Sequence, residues 1–311
     1  MELSSPLPAI LVIVGPTGSG KTLLALEIAR RTPAEILSAD SRQVYRLLTI
    51  GTAKPSPDEL KKVKHHFVDE ILPDQHFSAG EFGADGRKII DSIVVRKKLP
   101  IAVGGTGLYI RSLVDGLFSG PGRKEDMREQ LEVRLESEGA EALLEELRRV
   151  DPEAAARMLP SNQRRIIRAL EVYYATGKPI SQHHGEQEKK KLFNPVFVGL
   201  QWDRVKLYDR INSRVEKMLA AGFLDEVKGL VSRGYDDRYK SLQTVGYKEA
   251  FAFLRKEISY ERMVELMKQN TRRFAKRQLT WFRRDGRIRW FEIGDEGEIP
   301  RIAGEVLILL K

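Results

Sequence analysis

AILVIVGPTGSGKT, residues 9–22, decides how the rest of this chain is read. Ala9–Val14 is a short β-branched run bounded by Pro8 and Gly15, as expected of a strand buried on both faces in a parallel sheet. Gly15-Pro16-Thr17-Gly18-Ser19-Gly20-Lys21-Thr22 then fits the spacing G-x-x-x-x-G-K-[ST], and Leu23, Leu24, Leu26, Ile28 and Ala29 continue it as a helix up to Pro33. Glycines in such a loop let successive backbone N–H groups turn inward around phosphate oxygens, and the helix N-terminus adds its partial positive charge. Lys21 is expected to neutralise the distal phosphate, and the Thr22 hydroxyl to ligate Mg²⁺. The loop does not say whose phosphates it holds. ATP or GTP is the ordinary occupant, so a small-molecule kinase or an NTPase is the first reading to be tested.

Outward from that loop, short apolar runs alternate with helical patterns. Ala34–Ser38 reads as a second strand leading to Asp40, His66–Ile71 as a third, and Pro100–Val103 as one that runs into Gly104-Gly105-Thr106-Gly107. Ser78–Lys98 reads as a helix with Ile89, Ile90, Ile93 and Val94 on its apolar side. The alternation predicts an α/β fold, a P-loop NTPase-like parallel sheet flanked by helices. Ligands then collect at the carboxyl ends of the strands, where Gly15, Asp40 and Gly104 lie.

The character changes near Gly116. Gly120-Pro121-Gly122 is a break, and up to Lys191 only helical, highly charged segments follow: Arg123–Glu138, Ala140–Val150, Pro152–Met158 and Gln163–Thr176. Ser181–Lys191, ending in three lysines, is the one weak linker. Asn194–Asp203 restores a strand, so the helical block is inserted into the sheet domain. The expected organisation is therefore a core over residues 1–118, an all-helical insertion over 119–193, and completion of the core with basic helices over 194–311. That last part includes a short strand at Ile288–Phe291 and a final helix around Ile302–Leu310.

With 41% apolar and 31% charged residues, the 311-residue chain has a folded composition, well away from the disordered class. Its net charge of +9 points to a polyanionic partner. The absence of cysteine excludes disulfides, thiolate chemistry and cysteine-ligated zinc, which fits a reducing compartment. No basic stretch followed by an apolar core opens the chain, and Ala9–Val14 is far short of the roughly 18 apolar residues of a membrane span. A cytoplasmic monomer without a membrane role is expected.

Five stretches, in order, resemble the tRNA dimethylallyltransferase (isopentenyl-diphosphate:tRNA transferase) family. They are Gly15–Thr22; Ser38-Ala39-Asp40-Ser41-Arg42-Gln43-Val44-Tyr45; Gly51-Thr52-Ala53-Lys54-Pro55; His65-His66-Phe67-Val68-Asp69; and Val103–Tyr109. Asn162–Arg168 and Val245-Gly246-Tyr247 add to the match, so the resemblance spans nearly the whole chain. It implies transfer of a dimethylallyl group from dimethylallyl diphosphate to N6 of adenosine 37, just 3′ of the anticodon in tRNAs reading UNN codons. The residues are compatible with that chemistry. Departing pyrophosphate accumulates negative charge that Lys21, Mg²⁺ and the loop amides can stabilise.

Asp40 is the candidate general base for the adenine amine. By its residues alone it fits two other roles equally: cap of a helix starting near Ser41, or a Mg²⁺ ligand at a strand end. Thr106 is either a substrate contact or part of a structural turn; the resemblance favours contact, and implies that Ser41, Arg42 and Gln43 meet the target base and its neighbours. His65 and His66 point to opposite faces of a strand and cannot chelate one ion, so the pair reads as structural or supporting. For the RNA, Gln163, Arg164, Arg165, Ile166 and Ile167 open a helix in the inserted block with Arg168 one turn on, and the resemblance adds Arg128. A second, nearly one-sign cluster holds Lys268, Arg272, Arg273, Lys276, Arg277, Arg283, Arg284, Arg287 and Arg289, opposed in sequence only by Asp285. Arg273 and Arg277 share one stripe of that helix, with Met263, Met267, Phe274 and Trp281 expected on its core side. A small-molecule kinase and a prenyltransferase of free adenine nucleotides would use the same loop. Neither needs the basic helix.

Overall fold

The computed structural model describes residues 7–117, 125–185 and 192–310. The chain divides into two compact units, residues 1–116 with 191–311, and residues 117–190. The break at Gly120–Gly122 and the lysines at 189–191 lie outside the described residues.

The first unit is built on β1 (Ala9–Val14), α1 (Lys21–Arg31), β2 (Ala34–Ser38), α2 (Pro57–Lys62), β3 (His65–His66), α3 (Ala79–Val95), β4 (Leu99–Gly104) and α4 (Gly107–Asp115). The second unit holds α5 (Glu125–Val150), α6 (Pro152–Ala155), α7 (Gln163–Thr176) and α8 (Ile180–Gly185). The first then resumes with β5 (Asn194–Trp202), α9 (Arg204–Ala220), α10 (Phe223–Val231), α11 (Tyr247–Leu254), α12 (Tyr260–Phe282), β6 (Arg289–Ile293) and α13 (Ile299–Leu309). No described helix is long and apolar enough to cross a membrane.

The six strands form one parallel sheet in the order β3-β2-β4-β1-β5-β6. Because successive strand residues face opposite ways, β1 feeds two cores. Ile10, Val12 and Val14 pack with Phe82, Ile90, Tyr109, Phe223, Tyr247 and Met267, whereas Leu11 and Ile13 pack with Leu24, Ile28, Ile211, Ile302 and Val306. The sheet is thus flanked by helices on both faces, and each of these buried aliphatic side chains contributes about 1.5–3 kcal/mol of transfer free energy. Local signals set where helices begin. Ser56 with Glu59 and Ser78 with Glu81 form capping boxes for α2 and α3, while Asp203 and Ser259 cap α9 and α12.

Several sequence expectations are corrected. The third strand is two residues long, not His66–Ile71. Phe67 and Asp69 take left-handed φ values of 63° and 58°, which turns the chain out of the sheet so that Asp69–Ile71 bonds the backbone of Gln43–Arg46 instead. No helix starts at Ser41: Asp40 Oδ1 accepts from the Arg42 N–H at 2.9 Å and closes a turn. Residues 181–185 of the expected linker are helical, as part of α8, and the segment expected over Pro152–Met158 is helical only over Pro152–Ala155. The two helices expected on either side of Gly139 are kept, α5 being interrupted by a kink where Gly139 takes the non-helical φ of 84° and ψ of 164°.

Candidate functional site

The loop Gly15–Thr22 joins β1 to α1 at the carboxyl edge of the sheet. Gly20 precedes the helix at φ 84°, a left-handed conformation that a side chain would strain, and it frees the first helical amides toward the loop. Lys21 and Thr22 line a cleft together with Thr17 from the loop and Ser38 and Asp40 from the end of β2. The cleft is completed by Gln43, Thr52, Ala53, Pro55, His65, Val103 and Gly104, and by Arg214, Phe274 and Gln278 from α9 and α12. Lys21 Nζ donates to the Pro16 carbonyl at 3.1 Å. Burial lowers its pKa to about 8, opposed by the Asp40 carboxylate and reinforced by the Arg214 cation. Burial also works against the charge of Arg214, and Asp40 again supports it. Two cations and one carboxylate therefore share one cleft, a balance suited to an incoming anion.

Around the cleft, the sequence motifs act on one another. Ser38 Oγ donates to Gln43 Oε1 at 2.7 Å, and Gln43 Nε2 donates to the carbonyls of Thr52 and Ala53. Glu226 on α10 accepts from the backbone amides of Thr49, Ile50 and Gly51, and the Tyr247 hydroxyl donates to the same carboxylate at 2.7 Å. Lys54 pairs with Asp69 and donates to the Tyr45 carbonyl. Gly51–Pro55, His65–Asp69 and Tyr247 thus converge to hold one loop at the cleft.

The Ser41 N–H donates to Thr106 Oγ1 at 3.1 Å, so Thr106 braces the turn beyond Asp40 and, with Ser41 and Arg42, lies outside the cleft lining. The histidines divide. His66 Nε2 bonds Glu35, whose carboxylate also holds Arg96 and Lys98, whereas His65 lines the cleft with Nδ1 on the Val63 carbonyl and Nε2 buried without a partner.

Magnesium is tested by the donors present. Thr22 offers a hydroxyl and Asp40 a carboxylate across the cleft, both hard oxygen ligands. No group of three His, Cys, Asp or Glu residues gathers among the described residues, so most of the coordination shell would come from ligand phosphates and water. The residues fit Mg²⁺ held in that way.

Arg214, Phe274 and Gln278 carry no signal in the sequence that marks them for the cleft. Arg214 is one arginine among many on a charged helix, and no local pattern separates it. Phe274 was expected in the core but is 38% exposed beside the cleft, and Trp281, 41% exposed, lies against Gly107. The core stripe of α12 keeps the expected Met263 and Met267 and continues with Ala275, Gln278 and Phe282.

The basic cluster on α12 and beyond is less unopposed than its sequence suggests. Lys268 pairs with Glu216, Arg272 donates to Asn212, and Arg287 pairs with both Asp115 and Asp285. Among the described residues, Arg273, Lys276, Arg277 and Arg284 meet no carboxylate, and all four are exposed. In the second unit, Gln163, Arg164 and Arg165 are exposed at the start of α7. Ile166 and Ile167, expected at the RNA, are buried in that unit's core, because a helix that packs one face must turn these positions inward. Arg128 is mostly enclosed by Glu132 at 3.0 Å and Glu171 at 3.8 Å.

Comparison with known proteins places this arrangement. The family model described as IPP transferase matches residues 43–285. A tRNA dimethylallyltransferase of Acetivibrio thermocellus is 47% identical over 283 residues, covering 90% of each chain. The crystal structure of the full-length tRNA isopentenylpyrophosphate transferase of Bacillus halodurans is similar with a TM-score of 0.71 at 40% identity, covering 97% of this chain and 96% of that one. A eukaryotic dimethylallyltransferase caught acting on tRNA gives a TM-score of 0.82 at 29% identity, covering 97% of this chain and 78% of that one. The fold is P-loop NTPase-like, as the strand, loop and helix that begin at Ala9 require. With the family model matching most of the chain, the basic helix included, and a relative 47% identical over 90% of it, this chain belongs to the IPP transferase family.

Proposed function

We propose that this protein is a tRNA prenyltransferase that moves a dimethylallyl group from dimethylallyl diphosphate to N6 of adenosine 37 in tRNAs reading UNN codons, releasing pyrophosphate. One observation carries the reading: the phosphate loop and Arg214 share a single cleft with Asp40. The adenine amine is a weak nucleophile because its lone pair is delocalised into the ring. It attacks the allylic carbon as the carbon–oxygen bond to the diphosphate breaks, and the allyl system spreads the positive charge that develops. Lys21, Arg214 and the loop amides receive the negative charge on the leaving pyrophosphate. Asp40 accepts the proton that N6 loses. Mg²⁺ beside Thr22 would supply further charge neutralisation on the diphosphate.

The purine reaches this cleft only when unstacked from the anticodon loop. Arg273 and Arg277 on α12 hold the RNA backbone, and the helical unit adds Gln163, Arg164 and Arg165, with Arg128 ordering its helices through ion pairs. Action as a monomer is part of the proposal. A tRNA substrate supports the reading that it works in the cytoplasm.

Mass analysis of nucleosides from tRNA incubated with the protein, dimethylallyl diphosphate and Mg²⁺ tests the proposal. A dimethylallyl increment on one adenosine is expected. Transfer of phosphate from ATP to a small molecule instead would establish the kinase reading. Prenylation of AMP in preference to tRNA would establish the free-nucleotide one.

A further inference from the structure

Among the described residues, Gln278 is the one polar residue of α12 that is both buried and engaged at the cleft, with 7% of its surface exposed. Its Oε1 accepts from the Thr17 N–H of the phosphate loop at 2.8 Å, and its Nε2 donates to the Gly105 carbonyl at 3.0 Å. The partners fix which end of the amide is which, since an N–H can only donate and a carbonyl only accept. The fit is close: a Cβ on Gly105 would overlap Nε2. From Gly105 the bonded path continues, because Thr106 accepts from the Ser41 N–H next to Asp40 and its own N–H donates to the Ala39 carbonyl. One side-chain amide therefore ties the loop proposed to hold the donor diphosphate to the turn proposed to hold the base.

The same helix carries the exposed cations. Arg273 and Arg277 face solvent, Phe274 and Gln278 face the cleft, and Ala275 and Phe282 face the core. RNA phosphates held at 273 and 277 are thus within about a turn and a half, along one rigid helix, of the side chain that brackets Thr17. Losing either bond would leave a buried amide or backbone group unsatisfied, so the helix and the loop favour moving together.

We propose that Gln278 is a positioning residue that couples occupancy of the RNA face of α12 to the readiness of the Gly15–Thr22 loop for its diphosphate. Such coupling is reciprocal: tRNA tightens the diphosphate by the same factor that the diphosphate tightens tRNA. The inference rests on the tRNA reading above, and its test separates the two.

The experiment measures the dissociation constant of inorganic pyrophosphate with Mg²⁺, which occupies the loop without turnover, in the absence and presence of saturating unmodified tRNA. In the unaltered protein the ratio of the two values is expected to be about fivefold or more. Gln278→Met keeps the length and unbranched shape but makes neither bond. It should bring the ratio to about one while leaving the affinity for tRNA alone unchanged, an outcome that a general loss of structure would not produce. Thr17→Pro removes the N–H together with the hydroxyl, at a turn position that accepts proline because Gly18 follows at φ 80°, and should likewise bring the ratio to about one, whereas Thr17→Val, which loses the hydroxyl and keeps the N–H, should retain the ratio of the unaltered protein. If Gln278→Met gives no cooperative thermal transition, Thr17→Pro carries the test. A ratio unchanged in Gln278→Met and Thr17→Pro, or near one in the unaltered protein, overturns the coupling. Absence of any tRNA binding or prenyl transfer by the unaltered protein overturns the functional reading instead.

Discussion

Two helical regions of this protein are rich in arginine, and they spend it differently. In the unit formed by α5–α8, most of the cations are met at helical spacing or across the bundle, while Arg149, Arg164 and Arg165 meet no carboxylate among the described residues. Arg134 holds Glu138 and Glu146, Arg148 pairs with Glu145, Arg157 with Glu153, and Arg128 and Arg168 share Glu171. On α12 and just beyond it, Arg273, Lys276, Arg277 and Arg284 meet no carboxylate among the described residues, and a neighbouring face of the helix supplies Phe274 and Gln278 to the cleft. Abundance of positive charge is therefore a poor guide to an anion-binding face. What matters is charge left unneutralised beside a site that needs a polyanion.

If chemistry sits on the α12 side alone, Asp40→Asn should lower the rate of prenyl transfer by about 10²–10⁴-fold while tRNA affinity stays within about twofold, and Arg164→Ala should leave the rate at saturating tRNA unchanged. Single-turnover kinetics with a filter-binding control measures both. Parallel loss of tRNA binding in the Asp40 variant would erase the division between cleft and RNA face. Next in size, replacing Arg273, Lys276 and Arg277 together by alanine should reduce the slope of log affinity for tRNA against log salt by about 3, roughly one unit per lost phosphate contact. An unchanged slope would place the RNA elsewhere.

The third test uses pH. An anionic ligand favours charged Lys21, whose pKa in the free protein is about 8 because burial depresses it. Pyrophosphate affinity should be flat below that value and fall roughly tenfold per pH unit above it, a dependence that Lys21→Met abolishes. Isothermal titration between pH 7 and 9.5 would reveal it, and affinity that rises with pH would contradict it. The smallest effect belongs to the paired unit. Arg134→Ala should cost about 1 kcal/mol or less in thermal stability and leave the salt slope for tRNA untouched, since its charge is already met by two glutamates.

Much of this was legible along the chain. The strand before Gly15, the helix after it, the return to the sheet at Asn194 and the break at Gly139 all follow from short-range patterns. The failures are instructive. Phe67 and Asp69 look like strand residues, yet left-handed backbone at both is stabilised by what the turn delivers: Phe67 packs 4.7 Å from Phe82, and Asp69 reaches Lys54. Phe274 and Trp281 have the right residue types for a core but fall on the side of α12 that tertiary packing leaves open.

Nearest-neighbour stereochemistry and periodicity were enough to specify the phosphate loop, the alternation of strands and helices, and the placement of Asp40 and Gly104 at strand ends, because each depends on residues a few positions apart. The sheet order and the company kept at the cleft were decided only in three dimensions. Gln278 meets Thr17 across 261 positions, and Arg214 faces Asp40 from another helix, because burying both faces of β1 forces distant helices onto one sheet. No local pattern encodes which of many glutamines and arginines that packing will bring to the cleft.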